Sequence, residues 1–195
     1  MLTGIIQELF ADLPADTLYH YTSLSGLLGI VGSGELRASD IRYMNDSTEL
    51  RHTLELLGNH ISRRIIAGTD RPALLNRLQE WLSHRVVRRD VIFGGSFRAN
   101  GNLLSQWRGY SVHGKGVSLG FDSADISRCA DRQQFQVGPC LYDRSRQQVL
   151  IERIVNLVEA AAPDDANGGA DLETDLFEKL SGDLLRISAL LKHPS

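Results

Sequence analysis

Four polar residues in succession, His20, Tyr21, Thr22 and Ser23, close a short apolar segment of this chain. An imidazole and a hydroxyl group can each donate and accept hydrogen bonds, so these residue types suit a polar ligand. We therefore interpret the cluster as a place where a strand delivers polar groups to a ligand. Side chains alternate along a strand, which sends His20 and Tyr21 to opposite faces, and Tyr21 is assigned to the core. A purely structural role for His20 at a strand end is the alternative.

Two further segments, Ser96–Arg98 and Gln106–Tyr110, combine polar and aromatic side chains. Trp107 and Tyr110 are three residues apart, a spacing that makes them neighbours on a helical turn and usually indicates packing. By residue type and spacing alone, the three groups predict no more than a soluble α+β domain with a polar cleft.

Several common kinds of catalytic site are not indicated by the sequence. His52 and His60 are eight residues apart on one predicted helix, which is not a zinc or iron spacing, and we predict no metal site. The segment Gly114-Lys115-Gly116 is not a phosphate loop. It lacks the preceding glycine at Walker spacing and a Ser or Thr directly after the lysine. Cys129 and Cys140 have no basic companion that would mark a thiolate nucleophile.

Composition and charge limit the class of protein. The chain has 195 residues, 42% of them hydrophobic, which suits one domain with a real core. A formal net charge of −3 excludes a strong overall attraction to nucleic acid or to an anionic membrane. A nuclease or an RNA-binding protein is a minor alternative function. It is suggested by three arginines near one another, Arg85, Arg88 and Arg89. The two cysteines and the lack of a long apolar run predict a cytoplasmic protein without a membrane partner.

The elements that must position the polar groups are helices alternating with short strands. Thr22 or Ser23 can cap a helix that Gly34 ends. Asp46 and Glu49 form an acidic capping box that opens the next long helix. Other helices are predicted over residues 1–12, 71–88, 103–110, 144–162 and 171–192.

The clearest strand candidates are Val91–Phe97 and Gly116–Phe121, the most apolar extended segments of the chain. We expect them to be neighbouring central strands of the sheet, and we expect further strands at Leu18–Thr22 and Gln136–Tyr142. Together these elements predict an α+β fold.

The C-terminal part carries two further expectations. Residues 163–171, PDDANGGAD, read as a flexible loop because glycine, proline and aspartate dominate them. The last helix stops at His193-Pro194-Ser195, and a proline after a helix usually leads into another element. We therefore expect a single domain over residues 1–195 that lacks a C-terminal strand.

Five separated motifs occur in an order that closely resembles the bacterial domain of unknown function 2971 family: LYHYTS, MNDSTE, GGSFR, LLSQWRGY and GVSLGF. The resemblance covers roughly Leu18 to Tyr142. This family in turn resembles a distant branch of the ADP-ribosyltransferase fold, because YHYTS followed by a short helix is similar to the opening of DNA-targeting ADP-ribosyltransferase toxins and tRNA 2′-phosphotransferases. The resemblance implies a split antiparallel sheet of short strands with surrounding helices, around a cleft that holds NAD.

The resemblance also implies roles for individual residues. His20 would bind the ribose next to adenine, with Thr22 or Ser23 beside it, since a diol needs partners that donate and accept. Arg98 or Arg108 would meet the pyrophosphate, because a guanidinium matches phosphate oxygens.

A nicotinamide-stacking aromatic residue and a catalytic glutamate complete the implied site. Trp107 and Tyr110 are both candidates for the aromatic. The glutamate would stabilise the positive charge of an oxocarbenium-like transition state, and we expect it beyond Ser195. Glu173 and Glu178 are poor substitutes because we predict them on a surface helix.

The resemblance therefore implies an NAD-dependent ADP-ribosyltransferase that uses NAD as a substrate and no metal. Its acceptor would be a macromolecule, either nucleic acid or protein, and its role that of a toxin or antiphage effector. With the glutamate expected beyond Ser195, this chain would be inactive or nearly so. The alternative is a non-enzymatic sensor module that binds a nucleotide or a partner protein in the same cleft.

Overall fold

The computed structural model describes residues 1–11, 13, 16–41, 49–84, 91–110, 115–163 and 169–193. Its helices are α1 (Thr3–Leu9), α2 (Leu24–Ser33), α3 (Glu49–Ala67), α4 (Pro72–His84), α5 (Leu104–Tyr110), α6 (Ser123–Arg132), α7 (Arg144–Ala161) and α8 (Gly169–Leu190). Its strands are β1 (Thr17–Ser23), β2 (Ser39–Asp40), β3 (Phe93–Gly94) and β4 (Gly116–Asp122). The predicted α+β class is confirmed.

The chain divides into two compact units. The helical unit comprises residues 1–9, 40–92 and 140–195, and the sheet unit comprises residues 10–39 and 93–139. The helical unit is thus assembled from three separate chain segments.

The sheet unit is organised around β1. Strand β4 pairs with it in antiparallel fashion, from Thr17 opposite Asp122 to Ser23 opposite Gly116. On the other edge of β1, the backbone of Arg98 exchanges two hydrogen bonds of 2.8 Å with the backbone of Tyr19. β1 therefore lies between two partners.

The expectation that Val91–Phe97 and Gly116–Phe121 are neighbouring strands is wrong. β1 lies beside β4, and of the predicted Val91–Phe97 strand only Phe93–Gly94 is extended as β3. β3 pairs with β2 in a second two-stranded sheet. β1 and β4 each span seven residues and pair along their whole length, whereas β3 spans two. The apolar character of a segment therefore did not decide its pairing partner.

Helix α2 begins and ends at the residues that the sequence indicates. The hydroxyl of Ser23 accepts a hydrogen bond from the backbone N–H of Gly26 at 3.1 Å, which makes Ser23 the N-cap. Gly34 adopts a left-handed conformation with φ of 68°, and its N–H donates to the carbonyl of Ile30. The capping residue Asp46 predicted for α3 lies outside the described residues.

The helical unit has a continuous apolar core in which α3 contacts α4, α7 and α8. Its largest fully buried side chains are Leu2, Leu57, Ile61, Leu75, Leu78, Ile151, Ile154, Leu180, Leu184, Ile187 and Leu191. Each such side chain contributes about 1.5–3 kcal/mol through burial.

The prediction that Glu173 lies on a surface helix is wrong, because its side chain is buried. Only 2% of its surface is exposed, and its carboxylate accepts two hydrogen bonds from the guanidinium of Arg77, at 2.5 and 2.7 Å. A buried carboxylate requires such a partner, and the partner comes from another helix, α4.

The predicted strand over Gln136–Tyr142 is also wrong. Only Leu141 is paired, in an isolated parallel bridge with Leu191. The fully buried side-chain amide of Gln147 donates to the carbonyls of Leu141 and Lys192, at 2.7 and 2.8 Å, and holds the two segments together. The loop predicted over residues 163–171 falls largely outside the described residues, and α8 already begins at Gly169.

Candidate functional site

His20 is held in a defined orientation on β1. Its Nδ1 lies 3.2 Å from the backbone carbonyl of Ser96. A carbonyl oxygen can only accept, so Nδ1 is the donor, and in the tautomer that carries its proton on Nδ1, Nε2 is left as an acceptor. The ring of Phe97 packs on the imidazole with centroids 5.9 Å apart, and Phe97 in turn meets the edge of Phe121 at 6.2 Å. The imidazole is therefore preorganised before any ligand arrives.

Thr22 shares a face of β1 with His20, because side chains two residues apart in a strand point the same way. Their partners across the antiparallel pair are Leu119 and Val117. Ser23 lies on the other face, and its hydroxyl is already engaged by the N–H of Gly26 and by the hydroxyl of Ser25. Of the two hydroxyl groups predicted beside His20, the structure thus brings that of Thr22 to the same face.

The first turn of α2 confines the Thr22 side chain. A Cβ at Gly26 would collide with the Thr22 hydroxyl and lie 3.3 Å from the Thr22 Cβ. Glycine at this position therefore makes room for the Thr22 hydroxyl against the start of the helix.

The opposite face of β1 is a packed structural layer. Tyr21 is buried, as predicted, and its hydroxyl donates to the carbonyl of Asn100 at 2.9 Å and accepts from the N–H of Leu103 at 2.8 Å. The Trp107 ring meets Tyr21 edge-on at 5.0 Å, and its Nε1 donates to the side chain of Asn102 at 2.9 Å. Trp107 is thereby assigned to the face that His20 does not occupy.

The remaining candidates are distributed differently. Paired residues in an antiparallel bridge direct their side chains to one face, so Arg98 shares the face of its partner Tyr19, opposite to His20. Arg108 is exposed on α5. The side chain of Tyr110 lies outside the described residues. The structure therefore brings together His20 and Thr22, and it separates them from Arg98 and Trp107.

One structural segment near the site was not identified from sequence, the turn at Asn100–Asn102. The Asn100 side chain accepts from the N–H of Asn102 at 2.8 Å. A Cβ at Gly101 would lie 2.5 Å from the Tyr19 ring, so only glycine fits there. The Asn-Gly dipeptide is a strong turn signal and could have predicted this turn.

Comparison with known proteins gives one family. The model of the family described as "Protein of unknown function (DUF2971)" matches residues 106–195, which supports the likeness to that family. The matched segment begins within α5 and follows β1 in the chain. A search of curated proteins and a search of solved structures each found no significant match. Among the described helices, none combines the length and the apolar character that crossing a membrane requires.

Proposed function

We propose that the sheet unit binds a nucleotide, NAD or ADP-ribose, through the face of β1 that carries His20 and Thr22. The observation that supports this proposal best is the fixed tautomer of His20. Its Nδ1 donates to the Ser96 carbonyl, so Nε2 is available to accept a hydrogen bond from a ribose hydroxyl. The half-buried Thr22 hydroxyl on the same face can donate to, or accept from, the second hydroxyl of the diol.

The assignment of side chains to the two faces of β1 also limits the contacts that we propose for the rest of the nucleotide. Arg98 and Trp107 belong to the opposite face of β1, so we do not assign them to the ribose. Arg108 is exposed on α5 and remains the candidate for the pyrophosphate. Tyr110 remains the candidate for stacking on the nicotinamide.

The reaction proposed for this site is transfer of ADP-ribose to a macromolecular acceptor, either nucleic acid or protein. The bond between the ribose and nicotinamide breaks, and nicotinamide leaves with the bonding electrons. An acceptor nucleophile forms the new bond to the ribose and releases its proton to solvent. Positive charge develops on the ribose during this step, and a fixed carboxylate would stabilise it. The likeness of YHYTS and the following helix to the ADP-ribosyltransferase fold supports this proposal.

A second candidate is a non-enzymatic module that binds the nucleotide without turning it over. By sequence, the sheet unit contains a single glutamate, Glu35. Glu35 is exposed and follows the C-terminal end of α2, while the N-terminal end of α2 adjoins the site. Within the sheet unit, no glutamate is therefore in place to stabilise charge on a ribose beside His20, which favours binding alone.

Calorimetric titration with ADP-ribose and with NAD tests the binding proposal. We expect His20→Ala to weaken binding by roughly 1–3 kcal/mol, the scale of a polar group that loses its partner. Thr22→Val keeps the shape but removes the hydroxyl, and it should weaken binding in the same direction. His84→Ala, a change of an exposed histidine on α4, is the matched control and should leave affinity unchanged. Unchanged affinity in His20→Ala would remove His20 from the site.

Incubation of the chain with labelled NAD and cell lysate separates the two candidates. Release of nicotinamide together with transfer of label to protein or nucleic acid would identify a transferase. Saturable binding without either product would identify the binding module.

A further inference from the structure

A cavity of about 390 Å³ lies between α3 and α7 in the helical unit. Ligand pockets in proteins commonly hold about 300–1,000 Å³, so this volume suits a small molecule. Its lining combines apolar side chains, Leu56, Ile66 and Ile151, with two arginines, Arg63 and Arg144. All of these residues belong to the helical unit, whereas the nucleotide site proposed above belongs to the sheet unit.

The two arginines of the cavity carry charge that no described carboxylate neutralises. Arg63 uses its Nε to donate to the backbone carbonyl of Asn59 at 3.2 Å, and neither Arg63 nor Arg144 forms an ion pair within the described residues. Arg64 is different, because its guanidinium lies 2.7 Å from the carboxylate of Glu159. Two exposed guanidinium groups at one cavity favour an anionic ligand.

His60 adds a buried polar atom to the same cavity. It lines the cavity, and its Nε2 is buried without a hydrogen-bond partner among the described residues. Burial lowers the pKa of His60, and the charges of Arg64 and Arg63 lower it further, while Glu152 and Glu159 act in the opposite direction. The lowered pKa favours the neutral ring, so His60 adds no positive charge to the cavity. Because Nε2 is fully covered, we assign the polar contacts of a ligand to the two arginines instead.

We infer that this cavity binds a small phosphate monoester, whose phosphate contacts Arg63 and Arg144 and whose apolar part packs on Leu56, Ile66 and Ile151. A phosphate monoester carries about −1.5 to −2 charge at neutral pH, which two guanidinium groups balance. Glu152 on α7 acts electrostatically on His60, but Arg64 and Arg63 act on it more strongly in the opposite direction.

Calorimetric titration with phenyl phosphate tests this inference, because that probe joins one phosphate to one apolar ring. Inorganic phosphate and phenol are the two matched fragments, and each should bind more weakly than phenyl phosphate. We expect Arg63→Ala combined with Arg144→Ala to weaken phenyl phosphate binding by at least about tenfold, the scale of lost charge-assisted hydrogen bonds. Added salt should weaken binding to the wild-type chain but have little effect on the double variant.

Two single variants complete the test. Arg146→Ala removes an exposed arginine two residues further along α7, which does not line the cavity, and it should leave binding unchanged. Ile66→Ser should weaken phenyl phosphate but not inorganic phosphate, and its folding should be unaffected because Ile66 is 85% exposed.

Three results would overturn the inference. They are the absence of saturable phenyl phosphate binding by the wild-type chain, equal weakening in Arg146→Ala and the double variant, and equal affinity for phenyl phosphate and inorganic phosphate. A thermal melt of each variant confirms that the compared proteins are folded.

Discussion

The helical unit and the sheet unit are stabilised by different means. In the helical unit, buried leucine, isoleucine and valine side chains from α3, α4, α7 and α8 form a continuous core. In the described part of the sheet unit, the buried apolar residues are Leu18, Tyr21 and Ala130 alone. Its order comes mainly from backbone pairing, helix caps and the hydrogen bonds of Tyr21. We infer that the sheet unit is the less stable of the two, as ligand-binding regions often are.

The largest expected effect is on the core of the helical unit. Leu75→Ala removes a fully buried side chain and should lower the free energy of unfolding by about 2–5 kcal/mol. Leu172→Ala is the control, because Leu172 on α8 of the same unit is 53% exposed. That change should cost less than about 0.5 kcal/mol. Urea denaturation is monitored by the fluorescence of Trp81 in chains that also carry Trp107→Phe. The signal then reports on the helical unit separately. Equal costs for the two leucines would contradict the central place of Leu75 in the core that distinguishes the helical unit.

A second expected effect concerns the buried ion pair of the helical unit. Arg77→Ala leaves the carboxylate of Glu173 buried without its partner and should destabilise the unit by about 3 kcal/mol. The double change Arg77→Leu with Glu173→Leu should restore much of this loss, since an apolar pair needs no charge compensation. Urea denaturation of the single and double variants measures both. A single variant as stable as the wild type would show that water or another cation replaces Arg77.

A third expected effect concerns the sheet unit, where Thr22 and Gly26 fit closely. Gly26→Ala should destabilise this unit by about 1–3 kcal/mol, the usual cost of overpacking. Thr22→Ala removes the hydroxyl with which the new methyl group collides, so the double variant should recover part of the loss. Fluorescence of Trp107 in Trp81→Phe chains follows the sheet unit, and a double-mutant cycle gives the coupling. Simple additivity would mean that the collision does not determine the cost.

The smallest expected effect is a pH dependence at the surface of the helical unit. A hydrogen bond from Arg153, together with its charge, lowers the pKa of Glu8. A lowered carboxyl pKa contributes stability above the ordinary pKa, and this contribution disappears as the pH falls through the lowered value. Arg153→Gln should therefore reduce stability slightly at neutral pH and not at strongly acidic pH. Thermal melts across this pH range check the sign, and a constant difference between the two chains would contradict it.

Local signals in the sequence were sufficient for some features of the fold and site. Ser23 and Gly34 bound α2 as expected, and the alternation along β1 placed Tyr21 in the core. Features that depend on distant partners could not be predicted in this way. His20 owes its tautomer to Ser96, 76 residues away, and Glu173 owes its burial to Arg77, 96 residues away. Periodicity describes which face of an element is apolar, but it does not identify the element that will cover it.

The three-segment construction of the helical unit has a consequence for protein synthesis. The buried Leu2 donates its N–H to the Asp183 carboxylate on α8 at 2.8 Å. The hydrogen-bond partner of Leu2 therefore lies 181 positions later in the chain. During translation, the apolar side chains of residues 1–9 therefore stay accessible to solvent until α8 has left the ribosome. The segments of the sheet unit end at residue 139, so they can pair before α8 is synthesised. We expect the less stable unit to form earlier on the ribosome and the apolar N-terminal segment to be a natural binding site for chaperones in the meantime.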